Sequence, residues 1–313
     1  MKSNLKKIDG ILLLDKSLNI TSNGALQRVK RLFGAKKAGH TGSLDPLATG
    51  MLPICFGEAT KVSQFLLESD KHYDVEVTLG VKTTTGDAEG EVIATRALVD
   101  INFEKILVIL SQFKGAIQQI PPMFSAIKHQ GKPLYELARQ GIEIERKPRT
   151  VQIYALELTS FDAPKFTITV SCSKGTYVRT LAEDIGEQLG CGAHVSGLRR
   201  TAVKPYESDK MHTLDSLEEM HKQYGMDALL NCLLPVDTSV QHLPAVKLSS
   251  SATFYMRMGQ PVMVPHLPLE GWVRIFSGDA QFMGIGEILD DGRVAPKRLI
   301  SSPNKMAKAA GEV

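Results

Sequence analysis

Apolar and polar residues follow a strand-like rhythm in several parts of the chain. In residues 73–79, apolar side chains alternate with polar ones, which is typical of a β-strand with one buried face. The apolar-rich segment 8–14 predicts a strand, and the uninterrupted apolar run at 51–56 predicts a buried strand. Segments 151–161 and 166–173 predict a further pair of neighbouring strands. The chain therefore holds the material for a sheet with a buried core.

Helical periodicity separates these strands. The segment 21–23 supplies helix-capping residues, and an apolar stripe over 26–33 predicts a helix behind it. Gly190 is placed to end another helix, because apolar residues recur at helical spacing just before it. In all, helices are predicted after residue 21, at 58–68, 103–113 and 181–189, and near 214–233.

The pattern changes between residues 121 and 149. Two prolines open this segment, Pro148 closes it, and its lysines and arginines outnumber its glutamates. We interpret it as a basic arm inserted into a core domain that spans 1–243. From 244 to 300, short strand-like runs alternate with Gly/Pro turns, which predicts a small β-barrel domain. The remainder, 301–313, is predicted to be a disordered tail.

Composition narrows the class of protein. Apolar residues make up 43% and charged residues 23% of the 313 residues, which is typical of a globular protein with a real core. The chain has no run of about 18 apolar residues that could span a bilayer, and its start does not resemble a signal peptide. Its four cysteines form no C-x-x-C pair. We therefore expect reduced thiols in the cytoplasm and no metal site.

Positive charge is concentrated at the N-terminal end. Residues 1–61 contain ten Lys and Arg against four Asp and Glu, whereas the rest of the chain contains 27 against 30. A basic region on a near-neutral protein fits a polyanionic partner such as RNA. A solvated positive surface explains the same distribution, and charge alone does not separate the two interpretations.

The most informative segment is the loop at 39–53, GHTGSLDPLATGMLP, which carries a single carboxylate, Asp45. Glycine allows positive φ and close backbone approach, and proline fixes φ. The three glycines and two prolines of this segment therefore predict a shaped loop that presents one acid. A simple turn is also rich in Gly, Pro and Asp, but long structureless loops inside compact domains are more often functional.

This loop closely resembles the catalytic motif of the TruB-type tRNA pseudouridine synthases. Further segments resemble motifs of the same family at 10–16, 71–73, 172–181 and 192–201. The resemblance implies an α+β fold with a mixed, mostly antiparallel sheet, an inserted RNA-binding arm and a C-terminal PUA-like β domain. It also implies an isomerase that converts uridine 55 in the T loop of tRNA to pseudouridine, with no metal or other cofactor.

The resemblance also implies roles for individual residues. Asp45 matches the essential carboxylate, Tyr73 the tyrosine that stacks on the base, and Arg179 the arginine that pairs with the aspartate. Each has an ordinary alternative, namely a turn-forming aspartate, a core tyrosine and a pair between Arg179 and Glu183 on one helix. Five further positions match residues around the substrate: His40, Tyr177, Leu198, Lys16 and Asp87. Four lysines in basic segments are predicted to contact the RNA backbone: Lys36, Lys37, Lys128 and Lys132.

The resemblance implies the T arm of tRNA as the partner. We expect a monomer that needs no guide RNA, no protein partner and no membrane. Two alternatives remain open: a guide-dependent synthase of the H/ACA type, and an RNA-folding factor whose chemistry is dispensable. The arm at 121–149 favours direct recognition of RNA, and the intact set of Asp45, Tyr73 and Arg179 favours catalysis. A second, chaperone-like role is compatible with both.

Overall fold

The structure is a computed structural model that describes residues 5–265 and 267–301. The part of the predicted tail that follows Ser301 lies outside the described residues. This part of the chain contains eighteen strands and seven α-helices. The strands are β1 (Gly10–Lys16), β2 (Ala38–His40), β3 (Ala48–Phe56), β4 (Lys71–Leu79), β5 (Val81–Thr83), β6 (Val92–Thr95), β7 (Gly115–Gln119), β8 (Lys128–His129), β9 (Lys132–Pro133), β10 (Arg149–Asp162), β11 (Lys165–Cys172), β12 (Ala193–Val203), β13 (His212–Thr213), β14 (Ala245–Lys247), β15 (Val262–Met263), β16 (Trp272–Phe276), β17 (Phe282–Ile288) and β18 (Arg293–Leu299). The helices are α1 (Ser22–Leu32), α2 (Ser63–Glu68), α3 (Phe103–Gln112), α4 (Leu134–Ala138), α5 (Val178–Gln188), α6 (Leu214–Asn231) and α7 (Ser250–Arg257). Within the same residues, no helix combines the length and the apolar character that a membrane crossing requires.

Nine strands form one large sheet in the order β13-β1-β3-β12-β4-β11-β10-β7, with β2 paired on β3. The β1–β13 and β3–β12 pairs are parallel, and the other neighbouring strands in this sheet run antiparallel. The predicted α+β fold with a mixed, mostly antiparallel sheet is therefore confirmed. The alternating segment of the sequence lies in β4, most of the apolar-rich segment 8–14 lies in β1, and the apolar run 51–56 lies in β3.

The part of the large sheet around β1 and β3 is buried on both faces. Leu12 and Leu14 belong to an apolar cluster that includes side chains of α1, α3, α5 and α6. Ile11 and Leu13 belong to a second cluster, which includes residues of α2 and of the C-terminal strand β17. Burial on both faces explains why residues 11–14 of β1 are continuously apolar rather than alternating.

The C-terminal strands form a second sheet in the order β14-β16-β17-β18-β15, which packs with α7 around its own apolar cluster. The end strands of this sheet do not pair with each other in the described part of the chain, so it is a curled half-barrel rather than a closed barrel. Phe282 and Ile285 of β17 share an apolar cluster with Ile11 and Met51 of the large sheet. The domain boundary at residue 244 stays a prediction, and the buried core continues across it.

Two predicted helices are interrupted. The helix expected at 58–68 is a 3-10 turn followed by α2, since Val62 between them has a φ of −112° and a ψ of 5°. The start of the 3-10 turn is held by Asp9, which accepts a hydrogen bond from the backbone N–H of Glu58 at 2.7 Å, a donor that has no partner within the helix. The second interruption lies inside α6 at Gly225, whose φ of 78° is outside the helical region.

The basic segment predicted to be an arm leaves the large sheet at its edge. The strands β7 and β10 are antiparallel neighbours, with Gln119 opposite Arg149, so the chain between them starts and ends at adjacent points. This intervening chain contains the β8–β9 hairpin and α4, and it exposes Lys128 and Lys132. The geometry is that of an insertion, and its contact with RNA stays a prediction.

The close approach of β3 to β12 depends on Gly50. This residue has a φ of +95°, and a Cβ built on it would lie 2.2 Å from the backbone oxygen of Arg200. We expect Gly50→Ala to lower the free energy of unfolding by about 2 kcal/mol or more, because backbone strain and steric overlap both oppose the side chain. Chemical denaturation measures the effect. Gly39→Ala is the matched control, since a Cβ there meets no atom within 4 Å, and equal losses in the two variants would contradict this explanation.

Candidate active site

Asp45 lies in the loop between β2 and β3, and buried side chains hold this loop on both sides of it. Before Asp45, the Ser22 hydroxyl donates to the carbonyl of Leu44 at 2.9 Å and accepts from its N–H at 2.7 Å. After Asp45, the Lys16 ammonium donates to the carbonyl of Pro46 at 3.4 Å. Ser22 begins α1 and Lys16 ends β1. Two regular elements therefore fix the position of the carboxylate.

The guanidinium of Arg179 connects Asp45 with two other segments. Its Nε lies 3.1 Å from Oδ2 of Asp45, and its Nη1 lies 3.4 Å from Oδ2 of Asp87. It also donates to the carbonyl of Thr85 at 2.8 Å and to the carbonyl of Phe124 at 2.6 Å. Arg179 lies in the first turn of α5 and is 7% exposed. One buried cation thus joins the Asp45 loop, the loop after β5 and the beginning of the arm.

Burial and charge act in opposite directions on Asp45. Burial has the largest effect and raises the pKa of the carboxyl; the Arg179 cation lowers this pKa, and the Asp87 carboxylate raises it. Asp87 itself is enclosed, because its carboxylate accepts hydrogen bonds from the Thr85 hydroxyl at 2.5 Å and from the Glu89 N–H at 3.1 Å. The side chain of Asp45 keeps 43% of its surface exposed. Of the two acids on Arg179, Asp45 is therefore the accessible one.

The Asp45 carboxylate stands where two cavities meet. The first has a volume of about 430 Å³. The second has a volume of about 680 Å³ and extends past Asp87 towards the arm. Arg179 and Phe124 line both cavities. Six residues singled out from the sequence line the first cavity: Asp45, Arg179, Tyr73, His40, Tyr177 and Leu198.

The structure does not place the remaining predicted residues in the first cavity. Asp87 lines the second cavity, and Lys16 lies beneath the Asp45 loop, where it is 1% exposed. Burial lowers the pKa of Lys16 to about 8, and its ammonium is occupied by loop carbonyls. Four predicted backbone-contact lysines are exposed outside the lining of both cavities: Lys36, Lys37, Lys128 and Lys132.

Two tyrosines line the first cavity from different elements. Tyr73 lies on β4 and is 9% exposed, whereas Tyr177 directly precedes α5. Burial raises the pKa of both hydroxyls, so both are protonated at neutral pH. Gln119 fixes the backbone of Tyr177, because its side chain accepts from the N–H at 3.0 Å and donates to the carbonyl at 3.2 Å. The end of β7, where the arm begins, is thereby tied to the cavity wall.

Two basic residues of the first cavity have no role in the sequence-based assignment: Arg200 and Lys71. Arg200 lies directly opposite Tyr73 in the β4–β12 pairing and is 1% exposed. Its neighbour Arg199 pairs with Asp15 at 2.7 Å and is 41% exposed. The signal was present in the sequence, because consecutive residues of a strand point to opposite faces. The two arginines of such a pair therefore face opposite sides of the strand, and the register with β4 decides which of them lies beside Tyr73.

Other features of the molecule do not compete with this site. A larger cavity of about 830 Å³ lies beside α2 and Trp272, and its lining contains none of the residues around Asp45. Among residues 5–265 and 267–301, no group of three or more His, Cys, Asp and Glu side chains is placed to hold a metal ion. The four cysteines are free thiols.

Family models match the chain in three consecutive parts. The model of the TruB family pseudouridylate synthase N-terminal domain matches 30–178. The model of the tRNA pseudouridylate synthase B C-terminal domain matches 179–241. A third, described as pseudouridine synthase II TruB, C-terminal, matches 244–300. The chain is also 56% identical to a tRNA pseudouridine synthase B of Coxiella burnetii, over 94% of this chain and 96% of that protein. It is 53% identical to a protein of the same name from Tolumonas auensis, over 97% and 96%.

Solved structures share the fold. A chain in the crystal structure of a Cbf5-Nop10-Gar1 complex is 27% identical, with a TM-score of 0.72 over 94% of this chain and 84% of that chain. A chain in a structure of an H/ACA RNP bound to a substrate RNA containing 2′-deoxyuridine is 24% identical, with a TM-score of 0.73 over 94% and 85%. The fold likeness extends over both sheets, because it covers nearly the whole chain.

The ion pair between Arg179 and Asp45 yields a direct prediction. We expect Arg179→Met to raise the pKa of Asp45, because burial remains while the cation that favours the carboxylate is removed. Arg179→Lys keeps the charge and should raise this pKa less. A pH titration of the Asp45 carboxyl carbon by NMR measures both. Arg28→Met removes only an exposed ion pair with Glu218 and serves as the control. An Asp45 pKa that does not change in Arg179→Met would refute the proposed coupling.

Proposed function

Since the chain belongs to the TruB family of pseudouridine synthases, we propose that it isomerises uridine 55 in the T loop of tRNA to pseudouridine. Relatives named tRNA pseudouridine synthase B, which match it over nearly their whole length, support an enzyme that acts on tRNA. The target position and the residue roles rest on the sequence motifs and on the geometry around Asp45. A cytoplasmic location and a monomeric state stay predictions.

The proposed reaction makes few chemical demands. It breaks the bond between ribose C1′ and uracil N1, turns the base and joins C1′ to C5, with loss of the C5 proton. It is redox-neutral and needs no cofactor. It does need an anionic oxygen near the sugar or the base, a group that handles the C5 proton and a pocket for the base. We assign Asp45 as the anionic group and Tyr73 as the group that stacks on the base and reaches the C5 proton.

The observation that carries this proposal is the accessible carboxylate of Asp45, held by Arg179 at the junction of two cavities. The cation favours the ionised carboxylate and fixes its direction. The first cavity offers the ring of Tyr73 and the side chain of Leu198 to a planar base. The second cavity leaves room towards the arm for the RNA backbone. A single carboxylate is thus presented where a base and its sugar would meet.

An extruded base can be held in this site. Taking a base out of its stack costs a few kcal/mol, and stacking on an aromatic side chain returns about 1–3 kcal/mol. Tyr177 and Leu198 line the pocket proposed for the uracil. We assign His40 to the space that flipped bases leave. Burial lowers the pKa of the His40 imidazole, so it is neutral at neutral pH and adds no charge beside the base.

A guide-dependent synthase is the second candidate, and the fold likeness to the chain in the Cbf5-Nop10-Gar1 complex is the observation that favours it. The sequence favours the stand-alone enzyme, because identity to that chain is 27% whereas identity to a tRNA pseudouridine synthase B is 56%. The arm also supplies exposed lysines for direct contact with RNA. An RNA-folding role that needs no chemistry would not explain why the carboxylate of Asp45 is accessible in a cavity.

Asp45→Asn tests the proposed chemistry. The amide keeps the size of the side chain but removes the anion, so we expect isomerisation to fall below detection while tRNA affinity stays within a few-fold. Tritium release from C5-labelled uridine in a T-arm hairpin, without guide RNA, measures the reaction, and filter binding measures affinity. Asp162→Asn, which changes an exposed carboxylate, is the matched control. Substantial turnover by purified Asp45→Asn would remove Asp45 from the mechanism.

The exposed lysines yield a second test. If Lys36 and Lys37, or Lys128 and Lys132, bind phosphates, their replacement by alanine should weaken binding to any T-arm sequence. The slope of log K against log salt should then become shallower by about one for each phosphate that a lysine no longer neutralises. The exposed residues Lys114 and Lys210, replaced together, are the control. Slopes that match wild type in both test variants would mean that these lysines are only solvated surface.

A further inference from the structure

The first cavity contains two buried basic side chains that form no salt bridge within residues 5–265 and 267–301. Arg200 is 1% exposed and Lys71 is 7% exposed, and both line the cavity. In the part of the chain that the structure describes, neither forms an ion pair with a carboxylate; backbone carbonyls hold both instead. Buried charges are ordinarily paired, because taking them out of water is costly. An unpaired buried cation inside a candidate active site therefore calls for a functional explanation.

The backbone fixes Arg200 on the cavity wall. Its Nε donates to the carbonyl of Met51 at 2.7 Å, and its Nη2 donates to the carbonyl of Gly42 at 3.0 Å. On β12 it lies opposite Gly50 of β3 on one side and opposite Tyr73 of β4 on the other. Cross-strand neighbours of this kind share one face of a sheet. The guanidinium is therefore preorganised beside the aromatic ring proposed to stack on the base.

Lys71 adds a second positive charge at the same wall. It begins β4, and its ammonium donates to the carbonyl of Leu67 at 2.7 Å and also to that of Ser69 at the end of α2. Burial lowers the pKa of Lys71 to about 8, and the charge of Arg200 contributes to this decrease. The two cations repel each other, so the fold keeps them together at an energetic cost.

The charges of the cavity are therefore separated. On one side, Asp45 and Asp87 share the cation Arg179, and the buried ammonium of Lys16 lies beneath the same loop, so the acids of this side are paired with cations. On the other side, Arg200 and Lys71 leave an excess of positive charge beside Tyr73. Preorganised charges in a water-poor site stabilise the opposite charge wherever it develops. The geometry is suited to a substrate that becomes positive near Asp45 and negative near Arg200.

Resting on the function proposed above, we infer that Arg200 is a catalytic residue that binds the uracil ring while this ring carries negative charge. When the C1′–N1 bond breaks, its electron pair passes to the base, and one negative charge spreads over N1, O2 and O4. The electron deficiency at C1′ is compensated on the Asp45 side. The anionic ring then supplies the pair that forms the C1′–C5 bond, the C5 proton leaves, and N1 gains a proton. Electrons and atoms balance without a further reactant.

A phosphate group is the other anion that this cation could take. The base is favoured because Arg200 is reached through a cavity that Tyr73 and Leu198 also line, and both offer flat or apolar surface to a ring. A third possibility is that Arg200 merely supports the Asp45 loop through the carbonyl of Gly42. The experiment separates these possibilities by changing the stability of the departing base, and it follows loss of the starting nucleoside because a fluorinated ring has no C5 proton to release.

The test compares uridine with 5-fluorouridine at the target position of the same T-arm hairpin. Fluorine stabilises negative charge on the detached ring, so cleavage should depend less on Arg200 when the base carries it. We expect Arg200→Gln to slow single-turnover conversion of the uridine RNA by about 100-fold, and to slow conversion of the 5-fluorouridine RNA by a factor at least about fivefold smaller. Mass spectrometry of nucleoside digests follows loss of the starting nucleoside in both RNAs.

Arg199→Gln is the matched control, because it makes the same change one residue away on the opposite face of β12, and it should slow both RNAs little and equally. Arg200→Lys keeps the charge and should convert the uridine RNA faster than Arg200→Gln does. If circular dichroism shows that Arg200→Gln does not fold, Arg200→Lys replaces it in the comparison of the two RNAs. Equal slowing of both RNAs in the Arg200 variants, as a scaffold or a phosphate contact predicts, would overturn the inference alone. Absence of conversion of either RNA by the wild-type protein would overturn the proposed function and the inference together.

Discussion

The buried guanidinium of Arg179 is the contact on which the site depends. It binds the carboxylates of Asp45 and Asp87 and the carbonyls of Thr85 and Phe124, and these groups lie on segments that no strand pairing joins. A loop has few backbone hydrogen bonds of its own, so side-chain contacts contribute strongly to its position. Arg179 supplies that position from a rigid helix and supplies the charge that favours ionised Asp45. The same guanidinium therefore sets both the position of Asp45 and the preference for its ionised form.

The large sheet explains how the charges around the cavity stay apart. Strand β12 lies between β3 and β4, so its residues face the Asp45 loop on one side and Tyr73 on the other. Gly50 allows the close approach that brings Arg200 to this wall. The acidic side is built from loops, whereas the basic side is built from strands. The C-terminal sheet shares an apolar cluster with the opposite face of this sheet, so removing it would expose Ile11 and Met51 as well as removing surface for RNA.

The sequence predicted those features that depend on local pattern. Alternation predicted β4, an apolar-rich segment predicted β1, an apolar run predicted β3, and the Gly/Pro-rich loop pointed to Asp45. The sequence did not predict that Arg200 lines the cavity, because the position of Arg200 beside Tyr73 depends on strand order and on the register between distant segments. The break at Val62 was also missed, because the pattern over 58–68 indicates helical structure but not where the backbone departs from helical φ and ψ. Residue type indicates which chemistry is available, and pairing decides which side chains meet.

The central claim is that the protein itself, without a guide, directs one carboxylate to one uridine of tRNA. Mapping pseudouridine across an unmodified tRNA transcript, after incubation with the purified protein and no guide RNA, tests this claim most directly. The account predicts a single modified position, uridine 55 in the T loop, with every other uridine unchanged. Modification at several uridines, at a different single position, or at none until a guide RNA is added would contradict it.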